Sequence, residues 1–112
     1  MAGSYNIVAD QGATFTMNFT VDTDGTVWNL TGYSLAMMVK ESTASTTAYL
    51  DLPTDGTVTL NSSGQVSITV GATKMGTLPA GRWYYDLELT SPGGIVTRLL
   101  EGRFIVNAQV TD

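Results

Sequence analysis

The chain has no cysteine and no histidine, and only three prolines and five basic residues among 112. Without cysteine there is no disulfide and no thiolate nucleophile. Without histidine there is no imidazole base, and lacking both there is no zinc site of the usual nitrogen and sulfur kind. The basic residues Lys40, Lys74, Arg82, Arg98 and Arg103 are scattered, and ten Asp and Glu outweigh them to a net charge of −5. Nucleic acids and anionic membranes draw on clustered Lys and Arg, so neither is an expected partner. No apolar run approaches the ~20 residues of a membrane helix. The start, Met1 to Asn6, lacks the basic stretch and apolar run of a signal peptide. The expectation is a soluble chain with no secretion signal, no cofactor and no metal, whose function rests on shape and surface.

What is present points to β-structure. The length suits one domain with one sizeable core. Thr, Ser, β-branched and aromatic residues are abundant, and these suit a pleated, half-buried surface. Phe15, Met17, Phe19 and Val21 alternate with Thr14, Thr16, Asn18 and Thr20, which predicts a strand with one buried face. Asp22-Thr23-Asp24-Gly25 reads as a turn, and Thr26 to Asn29 as a short returning strand. Tyr33, Leu35, Met37 and Val39 form the next alternation. Ser42 to Thr47 is polar and small, hence a loop. Ala48 to Leu52 is a strand, and Thr57 to Leu60 with Gln65 to Val70 is a hairpin. Gly71 to Leu78 breaks the alternation, and within it Ala72 to Met75 reads as one helical turn crossing the end of a sandwich.

Trp83, Tyr85, Leu87 and Leu89 alternate with Arg82, Tyr84, Asp86 and Glu88 in the longest predicted strand. Ser91-Pro92-Gly93-Gly94 fits a tight turn, and Ile95 to Val106 returns from it. If Ser91 faces Gly94, then Leu100, Gly102, Phe104 and Val106 join the inward face, but so does Arg98, whose guanidinium must then reach solvent or a partner. A bulge in this strand would remove the conflict, and the residues leave both readings open. Seven or eight short strands with turns every 8–12 residues predict an all-β, two-sheet antiparallel sandwich. Residues 1–9 are an N-terminal arm or first strand, and residues 10–112 the sandwich domain. Phe15, Phe19, Trp83, Tyr85 and Phe104 are the expected aromatic core.

Candidate chemistry is sparse. Asp22-Thr23-Asp24-Gly25 opens like a calcium loop but lacks the Glu that would complete it, so it reads as a hairpin turn. Asp51 and Asp55 flank Pro53 and read as loop solubility rather than a cation site. Asp86 and Glu88 lie two apart on one strand, ~6–7 Å at the backbone, a spacing open to a carboxylate pair. Arg98 and Arg103 supply charge partners for them instead, and the expectation is no enzyme. Asn18, Asn29 and Asn61 match the glycosylation pattern cheaply in a Thr-rich chain. Lys40 or Lys74 beside a serine has no supporting motif. The interface candidates are Tyr5, Ile7, Tyr49 and Tyr84. Tyrosine combines contact area with a hydroxyl, though cross-strand packing accounts for such residues equally. Asn6-Ile7-Val8 can pair with this domain's own edge strand or with a neighbour's.

Four segments in order carry a resemblance: Ala9 to Phe15, Leu30-Thr31-Gly32-Tyr33, Leu78 to Leu89, and Ile95 to Gly102. Together they resemble small virion proteins of tailed bacteriophages, and in particular the immunoglobulin-like N-terminal domain of phage baseplate upper proteins. The resemblance spans about Tyr5 to Val110. It implies an immunoglobulin-like sandwich and a non-enzymatic building block of the virion in the tail, baseplate or fibre-attachment region. It implies other phage structural proteins as partners, several copies per particle, and no catalytic residues to carry over. The chain ends at Asp112 without the stalk that follows this domain in larger baseplate proteins. Its role is therefore open among adaptor, tail decoration and capsid decoration, with a carbohydrate-binding module as a further alternative.

Overall fold

The computed structural model describes residues 3–110. In chain order the elements are β1 (Gly3–Ser4), β2 (Ile7–Asp10), β3 (Phe15–Thr20), β4 (Asp22–Thr23), β5 (Thr26–Val27), β6 (Ser34–Lys40), β7 (Ala48–Leu52), β8 (Thr57–Leu60), β9 (Gln65–Val70), α1 (Ala72–Met75), β10 (Gly81–Thr90) and β11 (Val96–Asn107). The described residues are mostly strand, in three sheets. The largest runs β1-β11-β10-β6-β7, with β2 also on β11; the second runs β3-β9-β8; β4 and β5 form a small hairpin. The strand segments outnumber the seven or eight expected. β1, β4 and β5 are only two residues long, too short to carry a hydrophobic period.

Period-two burial follows the alternation where it was legible. On β6, Leu35, Met37 and Val39 are buried and the residues between them are exposed. On β10, Tyr85, Leu87 and Leu89 are buried, with Asp86 and Glu88 on the other face. The two larger sheets contribute to one cluster of buried residues. Phe15 from the smaller meets Phe104 from the larger edge-to-face, ring centroids 5.5 Å apart, and Tyr85 meets Phe104 at 6.5 Å. Of the five expected core aromatics, Phe15, Tyr85 and Phe104 are buried, whereas Phe19 and Trp83 are only partly covered. Trp83 lies near the start of β10, where its indole N–H donates to the Pro79 carbonyl at 2.8 Å. α1 buries Met75 completely and is followed by the buried Leu78, so this single turn plugs the core between β9 and β10.

The conflict at Arg98 resolves as a bulge. β10 and β11 pair Leu87 with Leu100 but Glu88 with Arg98, and the register shifts between them. The shift leaves Leu99 as the extra residue, which restores Arg98 to the outer face while Leu100, Phe104 and Val106 keep to the inner side. The hairpin closes where Gly94 donates its N–H to the Ser91 carbonyl at 2.9 Å.

The N-terminal arm pairs with its own domain, along β11, and does so in parallel: Gly3 and Ser4 lie beside Leu100 and Glu101, and Ile7 to Asp10 beside Phe104 to Asn107. The wholly antiparallel expectation fails here, because the arm enters at the sheet edge rather than through a hairpin. Between β1 and β2 the arm bows past Gly102. A Cβ at position 102 would collide with the Tyr5 carbonyl, so only glycine permits this approach. Tyr85, which sits opposite Gly102 on β10, reaches across the gap and donates its hydroxyl proton to the Tyr5 carbonyl at 2.6 Å. Asn6 adds a side-chain acceptor for the Arg103 N–H at 3.1 Å.

Candidate functional site

The main candidate surface is the outer face of the largest sheet. The pleat that buries Tyr85, Leu87 and Leu89 turns Tyr84, Asp86 and Glu88 outward. Neighbouring strands add Met38 and Lys40 on one side and Arg98, Glu101 and Arg103 on the other. The arm, through Ser4 and Asn6, and the loop after β6, through Ser42 and Thr43, rim a shallow depression of about 830 Å³ over these residues.

Arg98 organises the acidic side of this face. Its guanidinium lies 3.5 Å from Asp86 Oδ2, 3.7 Å from Glu88 Oε2 and 3.9 Å from Glu101 Oε1. All four side chains are substantially exposed, so each pair adds little stability, but together they fix the charge pattern. Arg103, directly opposite Tyr84 across the strand pair, lies over the Tyr84 ring, 4.0 Å from its centroid, a cation–π contact on this face. Lys40, Arg98 and Arg103 balance Asp86, Glu88 and Glu101. The face is therefore neutral, and the net charge of −5 resides elsewhere on the chain. A neutral face with tyrosine and arginine at its centre has the composition favoured in protein interfaces.

The four interface candidates do not converge. Tyr84 lies in the depression, 36% exposed. Tyr5 is 55% exposed on the arm, where its N–H donates to the Glu101 carbonyl at 3.0 Å and its carbonyl accepts from Tyr85. Ile7 is buried in the protein's own core, 4% exposed, because β2 docks against Phe104 to Asn107. Its side chain is thus already covered by this chain. Tyr49 packs edge-on against Trp83, ring centroids 4.9 Å apart, and donates its hydroxyl proton to Glu41 Oε2 at 3.0 Å. Desolvation, and then that hydrogen bond and the Glu41 charge, raise its pKa above the ordinary tyrosine value. Burial, with a smaller contribution from Tyr5, pushes Tyr85 up to about 12.

The other sequence candidates take structural positions. Asp24 and Gly25, both with positive φ, make the two-residue turn of the β4–β5 hairpin. Asp55 accepts the Asp51 N–H at 2.8 Å and faces Lys74 at 3.5 Å, so it caps the end of β7. Asn29 and Asn61 use their side-chain oxygens to hold the turns that follow them. Asn18 stands exposed on β3. Among the described residues no three metal-ligating side chains converge, and no helix is long and apolar enough to cross a membrane. Sequence reasoning did not assemble Asn6, Met38, Lys40 and Ser42 with Tyr84. They come from three separate stretches, and only the pairing of β6, β10 and β11 puts them on one face. No protein-family model matches this chain, and no curated protein matches it in sequence.

Proposed function

We propose that this protein is a non-enzymatic structural component of a tailed bacteriophage virion, built on an immunoglobulin-like β-sandwich and acting through protein–protein contacts in the tail or baseplate region. The resemblance of the four ordered segments motivates the viral assignment. The observation that carries the contact role is the neutral face around Tyr84, Arg98 and Arg103 on an otherwise acidic chain. Charge-balanced, Tyr- and Arg-bearing faces suit docking onto another protein and leave little long-range repulsion to overcome. The partners in this reading are other virion proteins, and the protein is present in several copies.

Mass spectrometry of purified particles from the phage that encodes the chain is the direct test. The protein should be present in stoichiometric, repeated amounts, and its absence from particles would end the proposal. Separating heads from tails before the measurement distinguishes a tail or baseplate component from a capsid decoration protein. A carbohydrate-binding role has one favouring observation, the exposed Tyr84 ring in a polar depression. Glycan-array binding lost on Tyr84→Ala would favour it over the structural role.

A further inference from the structure

The edges of the two larger sheets are treated differently. In the largest sheet, one edge is the arm, broken between β1 and β2 and ending in Asp10. The other edge is β7, which carries Asp51, shows a register shift against Val39 and Lys40, and has its Asp51 N–H covered by the Asp55 carboxylate. Breaks, bulges and charges of this kind are how proteins keep sheet edges from pairing with other chains. In the second sheet, β8 is short, with four residues. β3 has none of these devices. Phe15–Thr20 is six residues with no charge, no proline and no register shift against β9.

The hydrogen-bonding sense of β3 is fixed by its continuation. Val21 follows the same register and donates its N–H to the Gly64 carbonyl at 2.8 Å. Backbone N–H groups two residues apart point the same way along a strand. The odd-numbered residues therefore face β9, and Thr16, Asn18 and Thr20 turn their N–H and C=O groups to the free edge. No described residue hydrogen-bonds to that edge. Met17 and Phe19, on the core side, are only half-buried.

From this we infer that β3 is a self-association edge, pairing antiparallel with β3 of a second copy of this chain about a two-fold axis at Asn18. That register sets Asn18 against Asn18 and Thr16 against Thr20, the residues whose backbone groups are free. On the core side it sets Met17 against Phe19 and Phe15 against Val21, so apolar meets apolar and no charge meets a like charge. The flanking Asp22 falls opposite Thr14. Two three-stranded sheets become one continuous sheet, and the half-exposed Met17 and Phe19 cover each other. The occupant is a second copy because the edge carries no charge and its two half-buried apolar side chains, Met17 and Phe19, fall opposite each other about Asn18. The inference deepens the multi-copy part of the proposed function. Sedimentation reports on this edge whether or not the protein enters a virion, so the two can fail separately.

The test is sedimentation of the full chain across a concentration series, with two variants at position 18 and one, Thr59→Cys, on β8. The wild type should show a reversible monomer–dimer equilibrium. Asn18→Lys puts two cations against each other at the axis, and it should weaken dimerisation at least tenfold while leaving the thermal melt of the monomer unchanged. Asn18→Cys should oxidise to a disulfide-linked dimer. Directly opposed residues of a hydrogen-bonded antiparallel pair have Cα atoms ~5.5 Å apart, within disulfide reach, and the chain has no other cysteine. A wild type that stays monomeric throughout would overturn the inference. So would a dimer that both survives Asn18→Lys and cross-links through Thr59→Cys on β8 rather than through position 18.

Discussion

The contact between Tyr85 and the arm makes a quantitative prediction in alkaline solution. Tyr85 is 4% exposed, donates to the Tyr5 carbonyl, and titrates at about 12 against an ordinary value of 10.0. The folded-state pKa is raised, so the neutral phenol is favoured by folding. Its contribution is fully present below pH 10 and is lost as pH rises through 12. One pKa unit corresponds to about 1.4 kcal/mol. By linkage, Tyr85 alone should cost the fold about 1 kcal/mol at pH 11 and about 2 kcal/mol at pH 12. Tyr85→Phe removes both the hydrogen bond and the titration. At pH 7 it should be less stable than wild type by about 1 kcal/mol, the usual net value of one hydrogen bond. The gap should close near pH 11 and reverse above it, because only the wild type must protonate the phenolate of its unfolded chain in order to fold. Urea denaturation of both proteins from pH 7 to 12 measures this, and the difference between the curves cancels every other titrating group. Parallel curves across that range would refute the account of Tyr85 as a buried, arm-holding phenol.

Further outcomes follow from the same packing. Phe104→Ala, which removes a fully buried ring that touches both Phe15 and Tyr85, should cost about 3–5 kcal/mol in chemical denaturation. Gly102→Ala should release the arm without unfolding the sheets. Hydrogen exchange should speed up at Tyr5 and Arg103, whose N–H groups are bonded across that junction, while Leu87 stays protected. Arg98→Ala should change stability by no more than about 0.5 kcal/mol, since its three ion pairs are exposed. The same variant should leave the face with a net negative charge, and binding of the virion partner proposed above should then depend more steeply on salt than in wild type.

Residues whose role is set by a local period were legible in the sequence. The alternation on β6 and β10 named the buried and outward side chains correctly, and the Asp24-Gly25 turn follows from residues that tolerate positive φ. Arg98 shows where local reading stops. Continuing the hairpin from Ser91 and Gly94 places it inside, and a burial conflict signals a bulge without saying where it falls. The structure puts the extra residue at Leu99, where the strand gains an outward arginine facing three carboxylates. Ile7 shows the same limit from the other side. Its apolar character does not distinguish a contact with another molecule from a place in the core, and its burial depends on β11, nearly a hundred residues away.

The composition by itself determined that this protein is built from strands and that its chemistry does not run through thiols or imidazoles, because pleat periodicity and side-chain inventory are properties of short stretches. The tertiary structure alone decided which strands are neighbours, that the arm runs parallel along β11, that six charged side chains form one neutral face, and that no other described strand pairs with the outer edge of β3. Those outcomes depend on pairing between distant segments, where hydrogen bonds and burial are satisfied jointly and no single stretch carries the information.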